Sequence, residues 1–216
     1  MTGKNLADRA FEEIERLIVL QQIAPGSLVS EKQLMELTGI GRTPVREALQ
    51  RLARDRMVEI HPQRGVLVPS SSVEAQLKLL ELRRQLEPFS ARLAAARATK
   101  AQRQRAEELA RRATVMAPTE LESFPGFLRE AHELIVSAAH NEFLSVAMAP
   151  LQGLSRRFWF SHVKDPDAEL ARAGALHAAI LAAIAAHDED AAVAASIDLN
   201  DYLIAFTYAT LPTRSI

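Results

Sequence analysis

One run of residues, Gly41-Arg42-Thr43-Pro44-Val45-Arg46-Glu47-Ala48-Leu49-Gln50-Arg51-Leu52, constrains this chain more than any other. Thr43-Pro44 reads as a helix start, with Thr43 as N-cap and Pro44 at the first helical position, where a missing N–H costs nothing. The proline also biases Thr43 away from helical dihedrals, as a cap requires. From there Val45, Ala48, Leu49 and Leu52 recur at i, i+3, i+4 and i+7, which is one apolar helical face. Arg46, Gln50 and Arg54 fall on the opposite side, and Arg42 stands just before the start. A short helix with its back in a core and such side chains outward suits a DNA major groove. There arginine bonds guanine bidentately, glutamine bonds adenine, and the first helical turn sits well against phosphate.

The flanks extend this reading. Ser30-Glu31-Lys32-Gln33 is a capping box followed by Leu34 and Leu37 and closed by Gly39, so helix, glycine turn and helix stand in succession. Downstream, Met57-Val58-Glu59-Ile60 and Val66-Leu67-Val68 are short β-prone runs on either side of Pro62-Gln63-Arg64-Gly65, which predicts a hairpin wing with a basic tip. The plainer alternative is a small helical domain with solvated arginines, in which Glu47 and Arg51 pair at i, i+4.

At 216 residues the chain is long enough for one large or two modest domains. A formal net charge of −1 does not announce nucleic acid, so the charge argument is local. Residues 41–64 hold arginines 42, 46, 51, 54, 56 and 64 against Glu47, Asp55 and Glu59, a basic patch rather than a polybasic tail. The chain has no cysteine, which excludes disulfides and thiolate metal sites and agrees with a reducing cytoplasm. No signal peptide or window of 18 uninterrupted apolar residues is present, so the expectation is a soluble cytoplasmic protein without a membrane partner.

In chain order, Phe11, Ile14, Leu17 and Ile18 predict a first helix over 6–20, and Pro25-Gly26 a turn. The winged helix-turn-helix occupies 1–69, and the polar Pro69-Ser70-Ser71-Ser72 opens a linker over 70–74. Residues 75–210 read as an all-α bundle of about six helices, near 73–98, 100–116, 121–139, 141–162, 167–186 and 189–209. Breaks fall at Pro118, His140-Asn141, Asp165-Pro166 and His187-Asp188. The fold class is therefore mostly α, a winged helix-turn-helix with a small hairpin followed by a helical bundle.

Pro25-Gly26, Ser30-Glu31-Lys32-Gln33-Leu34, the Gly41 to Leu49 run and Arg64-Gly65-Val66 together resemble the winged helix of GntR-family transcriptional regulators, with Gly41 where serine is usual. In the second half, Glu81-Leu82-Arg83-Arg84-Gln85-Leu86-Glu87-Pro88, Ala131-His132, Asn141 and Leu176-His177-Ala178-Ala179-Ile180 resemble the FCD effector domain of the FadR subfamily. Its helix number is similar to the shorter, VanR-like branch. The resemblance implies a homodimeric, ligand-responsive regulator, most often a repressor, on a palindromic double-stranded operator. It assigns base edges to Arg42 and Arg46, phosphate to Lys32 and Thr43, and a minor-groove approach to the wing at Gly65, beside the basic Arg64. Gln50 joins these as an adenine reader on the exposed helix face.

For the bundle, the resemblance implies a small effector, an organic acid or related metabolite, often held at a divalent metal by one aspartate and three histidines. Here the histidines His132 and His177 stand at two of those positions, while Leu128 takes the aspartate's place and Leu199, next to Asn200, the third histidine's. No metal or other cofactor is assigned on this incomplete set. His132 and His177 are expected to line an apolar interior, with Arg83 joining them to bind an anionic group by charge-assisted hydrogen bonds. Two other readings are an architectural DNA-binding protein with a filled core, and a bundle enzyme using His132 and His177 with Glu130 or Glu133. Those glutamates lie off the His132 face and no nucleophile set accompanies them, so no enzyme is expected. Trp159 and Phe158, beside Arg156-Arg157, are open to a ligand, an interface or ordinary packing.

Overall fold

The computed structural model describes residues 5–115 and 121–211. In order these form α1 (Leu6–Val19), β1 (Leu28–Val29), α2 (Glu31–Thr38), α3 (Arg42–Arg54), β2 (Glu59–His61), β3 (Gly65–Leu67), α4 (Val73–Arg97), α5 (Lys100–Val115), α6 (Phe124–Ala138), α7 (Glu142–His162), α8 (Pro166–Ala185) and α9 (Glu189–Ala209). The expected fold class holds: a winged helix-turn-helix and then helices. The break expected at Pro118 lies outside the described residues.

The backbone forms two compact units. One takes the chain up to Ser72 together with Gly153–Ser161, and the other takes Val73–Gln152 and the chain from His162 onward. Helix α4 starts at Val73, so the last two residues of the expected 70–74 linker are helical. The assignment of Gly153–Ser161, the last turns of α7, to the first unit was not legible in any periodicity.

In the first unit, α3 packs on α1 and α2 through the apolar face read from the sequence: Val45, Ala48, Leu49 and Leu52 are all buried. Burying each of the two leucines contributes about 1.5–3 kcal/mol. Helix α2 has the full capping box, with Gln33 N donating to Ser30 Oγ and Ser30 N to Gln33 Oε1, and it ends at Gly39 in the left-handed conformation. The start of α3 corrects the expectation. Its N-cap is Gly41, without a side-chain bond, and Arg42, Thr43 and Pro44 occupy the first three helical positions. The first bonded amide is Val45, which donates to the Gly41 carbonyl, so proline sits where amides lack intrahelical partners anyway. Arg51 bonds Asp8 on α1 at 2.6 Å and lies over the Phe11 ring, instead of pairing with Glu47.

The wing is a three-stranded antiparallel sheet in the order β1-β3-β2, with Leu28 opposite Leu67 and Ile60 opposite Val66. Strand β1 follows the Pro25-Gly26 turn and was not expected; two residues offer no alternation to detect. Gly65 sits at φ +119°, and a Cβ there would lie 2.7 Å from the Val29 carbonyl oxygen.

The α7 residues of the first unit place charge in its interior. Arg156 is paired with Glu15, and Arg157 donates to the Met57 carbonyl at 3.1 Å. Burial holds the Arg157 guanidinium below its ordinary range; burial and the neighbouring Glu15 push the Asp55 carboxyl up. Phe158, Trp159 and Phe160 are buried, and Trp159 and Phe160 meet edge to face. The aromatic cluster is thus core packing.

In the second unit α4 lies along α9, α5 along α8, and α8 against α9, with α6 packed on α4 and α8. Helix α8 is apolar and long enough by composition to cross a membrane, but half of that stretch is buried within the bundle, and His177 lies on its inner side. Replacing Gly65 by alanine should destabilise the wing by about 1–3 kcal/mol, read as a lower thermal midpoint with the helical circular dichroism of the folded state retained.

Candidate functional site

The helix-turn-helix exposes the side chains expected to meet DNA. Because α3 buries one stripe, Arg42, Thr43, Arg46 and Gln50 all stand on its solvent side. Lys32 on α2 is exposed and 3.8 Å from Glu36. Arg64 is exposed at the wing tip, and Gly65 is half-buried against β1. Arg46 has a feature not foreseen: its Nε–H is directed at both carboxylate oxygens of Glu31, at 3.0 and 2.9 Å.

The bundle contains the second site. A narrow cavity of about 10 Å³, room for no more than one water, is walled by Glu87, Ser90 and Ala91 from α4, His132 and Ile135 from α6, Met148 and Gln152 from α7, His177 and Ile180 from α8, and Ser196 and Leu199 from α9. The two histidines meet directly, with Nε2 to Nε2 at 3.2 Å. His177 Nδ1 is 2.7 Å from the Ala173 carbonyl, which only accepts, so that nitrogen carries the hydrogen. In the neutral ring Nε2 of His177 is then the acceptor, and Nε2–H of His132 donates to it.

Arg83 corrects the expectation. It is buried, but its Nη2 donates to Glu87 Oε1 at 2.6 Å, and it does not line the cavity. The other oxygen of Glu87 accepts from Asn200 Nδ2 at 2.7 Å. The charge of Glu87, the carboxylate on the wall, is thereby balanced. Glu87 and Asn200 were not singled out from the sequence as site residues, although Asn200 was noted beside Leu199. Their signal was the i, i+4 spacing of Arg83 and Glu87 on a helix that turned out to be central. Ser90 is buried, and its Oγ has no hydrogen-bond partner among the described residues.

A divalent metal does not fit these residues. Leu128 and Leu199 are both buried and offer only hydrocarbon at the two absent ligand positions. Glu87 is already engaged on both oxygens. Among the described residues no group of three or more His, Cys, Asp or Glu side chains is arranged to hold a cation. Two imidazoles alone are a poor divalent site.

Residues 6–68 match the bacterial regulatory proteins of the gntR family, and residues 78–201, more than half of the chain, match the FCD domain. The HTH-type transcriptional repressor RspR of Escherichia coli K12 is 29% identical over 185 residues, covering 84% of this chain and 79% of that protein. The HTH-type transcriptional repressor NanR of Enterobacter sp. strain 638 is 44% identical over 62 residues, 28% of this chain and 24% of that protein. Among solved structures, E. coli McbR/YncC aligns with a TM-score of 0.75 at 21% identity, over 95% of this chain and 98% of that one, which shows a shared fold. The chain belongs to the GntR family of regulators and carries an FCD domain. It is a DNA-binding transcriptional regulator of the class whose helical domain takes small-molecule effectors.

Removing Glu87 would leave the Arg83 charge buried without its partner. Glu87→Ala should cost about 3–5 kcal/mol of stability, measured by denaturant unfolding, and Glu87→Gln distinctly less.

Proposed function

We propose that the chain works as a homodimeric repressor on a palindromic operator in the cytoplasm, with operator affinity set by a small metabolite in the bundle cavity. One recognition helix reads only a few base pairs, and two-fold symmetry doubles the site. The names of RspR and NanR, both repressors, support repression as the outcome of operator binding. The observation that carries the DNA reading is the division of α3, with its apolar stripe buried and Arg42, Thr43, Arg46 and Gln50 exposed opposite it.

In this reading Arg42 and Arg46 bond guanine edges and Gln50 bonds adenine. Lys32 and Thr43 hold phosphates, while Arg64 and the Gly65 backbone bring the wing to the minor groove. His132 and His177 bind the effector. An organic acid, the class expected from the resemblance, would rely on those imidazoles, because Arg83 is committed to Glu87. The narrowness of the cavity favours one alternative, an architectural DNA-binding protein whose bundle takes no effector. A thermal-shift screen of metabolites, followed by operator binding with each hit, separates the two. A hit that alters operator affinity supports the regulator, and no response across the screen supports the alternative.

Arg46→Ala should weaken binding to the selected operator by about tenfold to a hundredfold and leave the thermal midpoint unchanged; unaltered affinity in a gel-shift titration would remove the base-reading assignment. EDTA or added zinc should leave operator affinity unchanged, and calorimetric titration with zinc should show no tight site.

A further inference from the structure

Arg46 is presented to solvent in an unusual way for a base reader, because an acidic residue already holds it. Glu31, the first residue of α2, is fixed in place by the adjacent capping box of Ser30 and Gln33. Its two oxygens share the single Nε–H of Arg46. Among the described residues, neither Nη1 nor Nη2 of Arg46 makes a bond. The two groups are 34% and 59% exposed, and so open a pair adds little to stability. A contact that hardly stabilises the fold, yet fixes the rotamer of a side chain on the exposed face of α3, bears on recognition.

We propose that Glu31 is a positioning and specificity-determining residue for DNA readout, holding Arg46 by Nε so that its Nη1/Nη2 edge faces the base. That edge carries the parallel N–H groups that match guanine O6 and N7. Arginine tethered this way is not free to swing onto the nearest phosphate, the contact that supplies sequence-independent affinity. The carboxylate adds a second effect: its charge repels the phosphate backbone, which weakens docking wherever Arg46 lacks a guanine partner. Glu31 therefore lowers affinity for arbitrary duplex more than for operator, and discrimination rises. The inference rests on the assignment of Arg46 as a base reader.

The test uses the full chain and two duplexes, one selected by the wild-type protein from a random-sequence library and one a shuffled version of it. Fluorescence anisotropy gives both affinities over a range of salt concentrations, for wild type, Glu31→Gln and Arg46→Ala. For Glu31→Gln we expect tighter binding to the shuffled duplex, a salt dependence steeper by about one ion, and a discrimination ratio lower by about tenfold. The thermal midpoint should not move. A merely structural role would lower that midpoint and weaken both duplexes alike, and this outcome overturns the proposal. If Arg46→Ala removes discrimination while Glu31→Gln keeps it, the proposal fails and the base-reading assignment stands. If Arg46→Ala keeps discrimination, that assignment fails and the proposal with it. Arg46→Lys is the second variant: it keeps the charge without the planar fork, and should lose discrimination while holding affinity for shuffled duplex. Retained discrimination in Arg46→Lys also overturns the proposal.

Discussion

The seating of α3 on α1 is the constraint from which the DNA-binding unit follows. Val45, Ala48, Leu49 and Leu52 are buried on one side of a helix of about three and a half turns. Once that stripe is in contact with α1, the rotation of the helix is fixed, and Arg42, Arg46 and Gln50 have only the solvent side left. The apolar effect thus performs the polar task of aiming the arginines. Arg51 shows where that face ends: one residue past Gln50, it turns to Asp8 and the Phe11 ring on α1 and is lost to the groove.

The bundle applies the opposite economy, drawing its polar side chains into pairs. Arg83, Glu87 and Asn200 form a buried, charge-balanced set, and His132 meets His177 directly. A buried charge is tolerable only when its partner is close and bonded. The arginine that seemed available for a ligand is for that reason the counter-charge of a carboxylate on the cavity wall. Leucine at positions 128 and 199 removes the remaining cation ligands. What is left is a site of imidazole, hydroxyl and amide groups set among Ile135, Met148, Ile180 and Leu199.

Helix α7 belongs to both units. Met148 and Gln152 line the cavity, and from Gly153 the same helix contributes Arg156 to Glu15 and Arg157 to the Met57 carbonyl. A Cβ at Gly153 would stand in ordinary contact with Met57 and Glu15, so the helix is in contact with the DNA-binding unit from that residue onward.

Local chemistry was enough to determine the helix order, the capping box at Ser30, the glycine stop at Gly39, the wing and the apolar stripe of α3, because each depends on neighbours within a few residues. The same reasoning placed His132 and His177 on inward faces. It misjudged the start of α3 by two residues, since proline is tolerated throughout the first turn and does not mark one position there. The tertiary structure alone decided that Arg83 serves Glu87, that Glu31 holds Arg46, that Gly65 is required by the Val29 carbonyl, and that the end of α7 joins the first unit. Each of these is a contact between groups whose distance the chain's covalent order does not set. Burial selects among the partners that folding brings together, and one-dimensional periodicity carries no information about which they are.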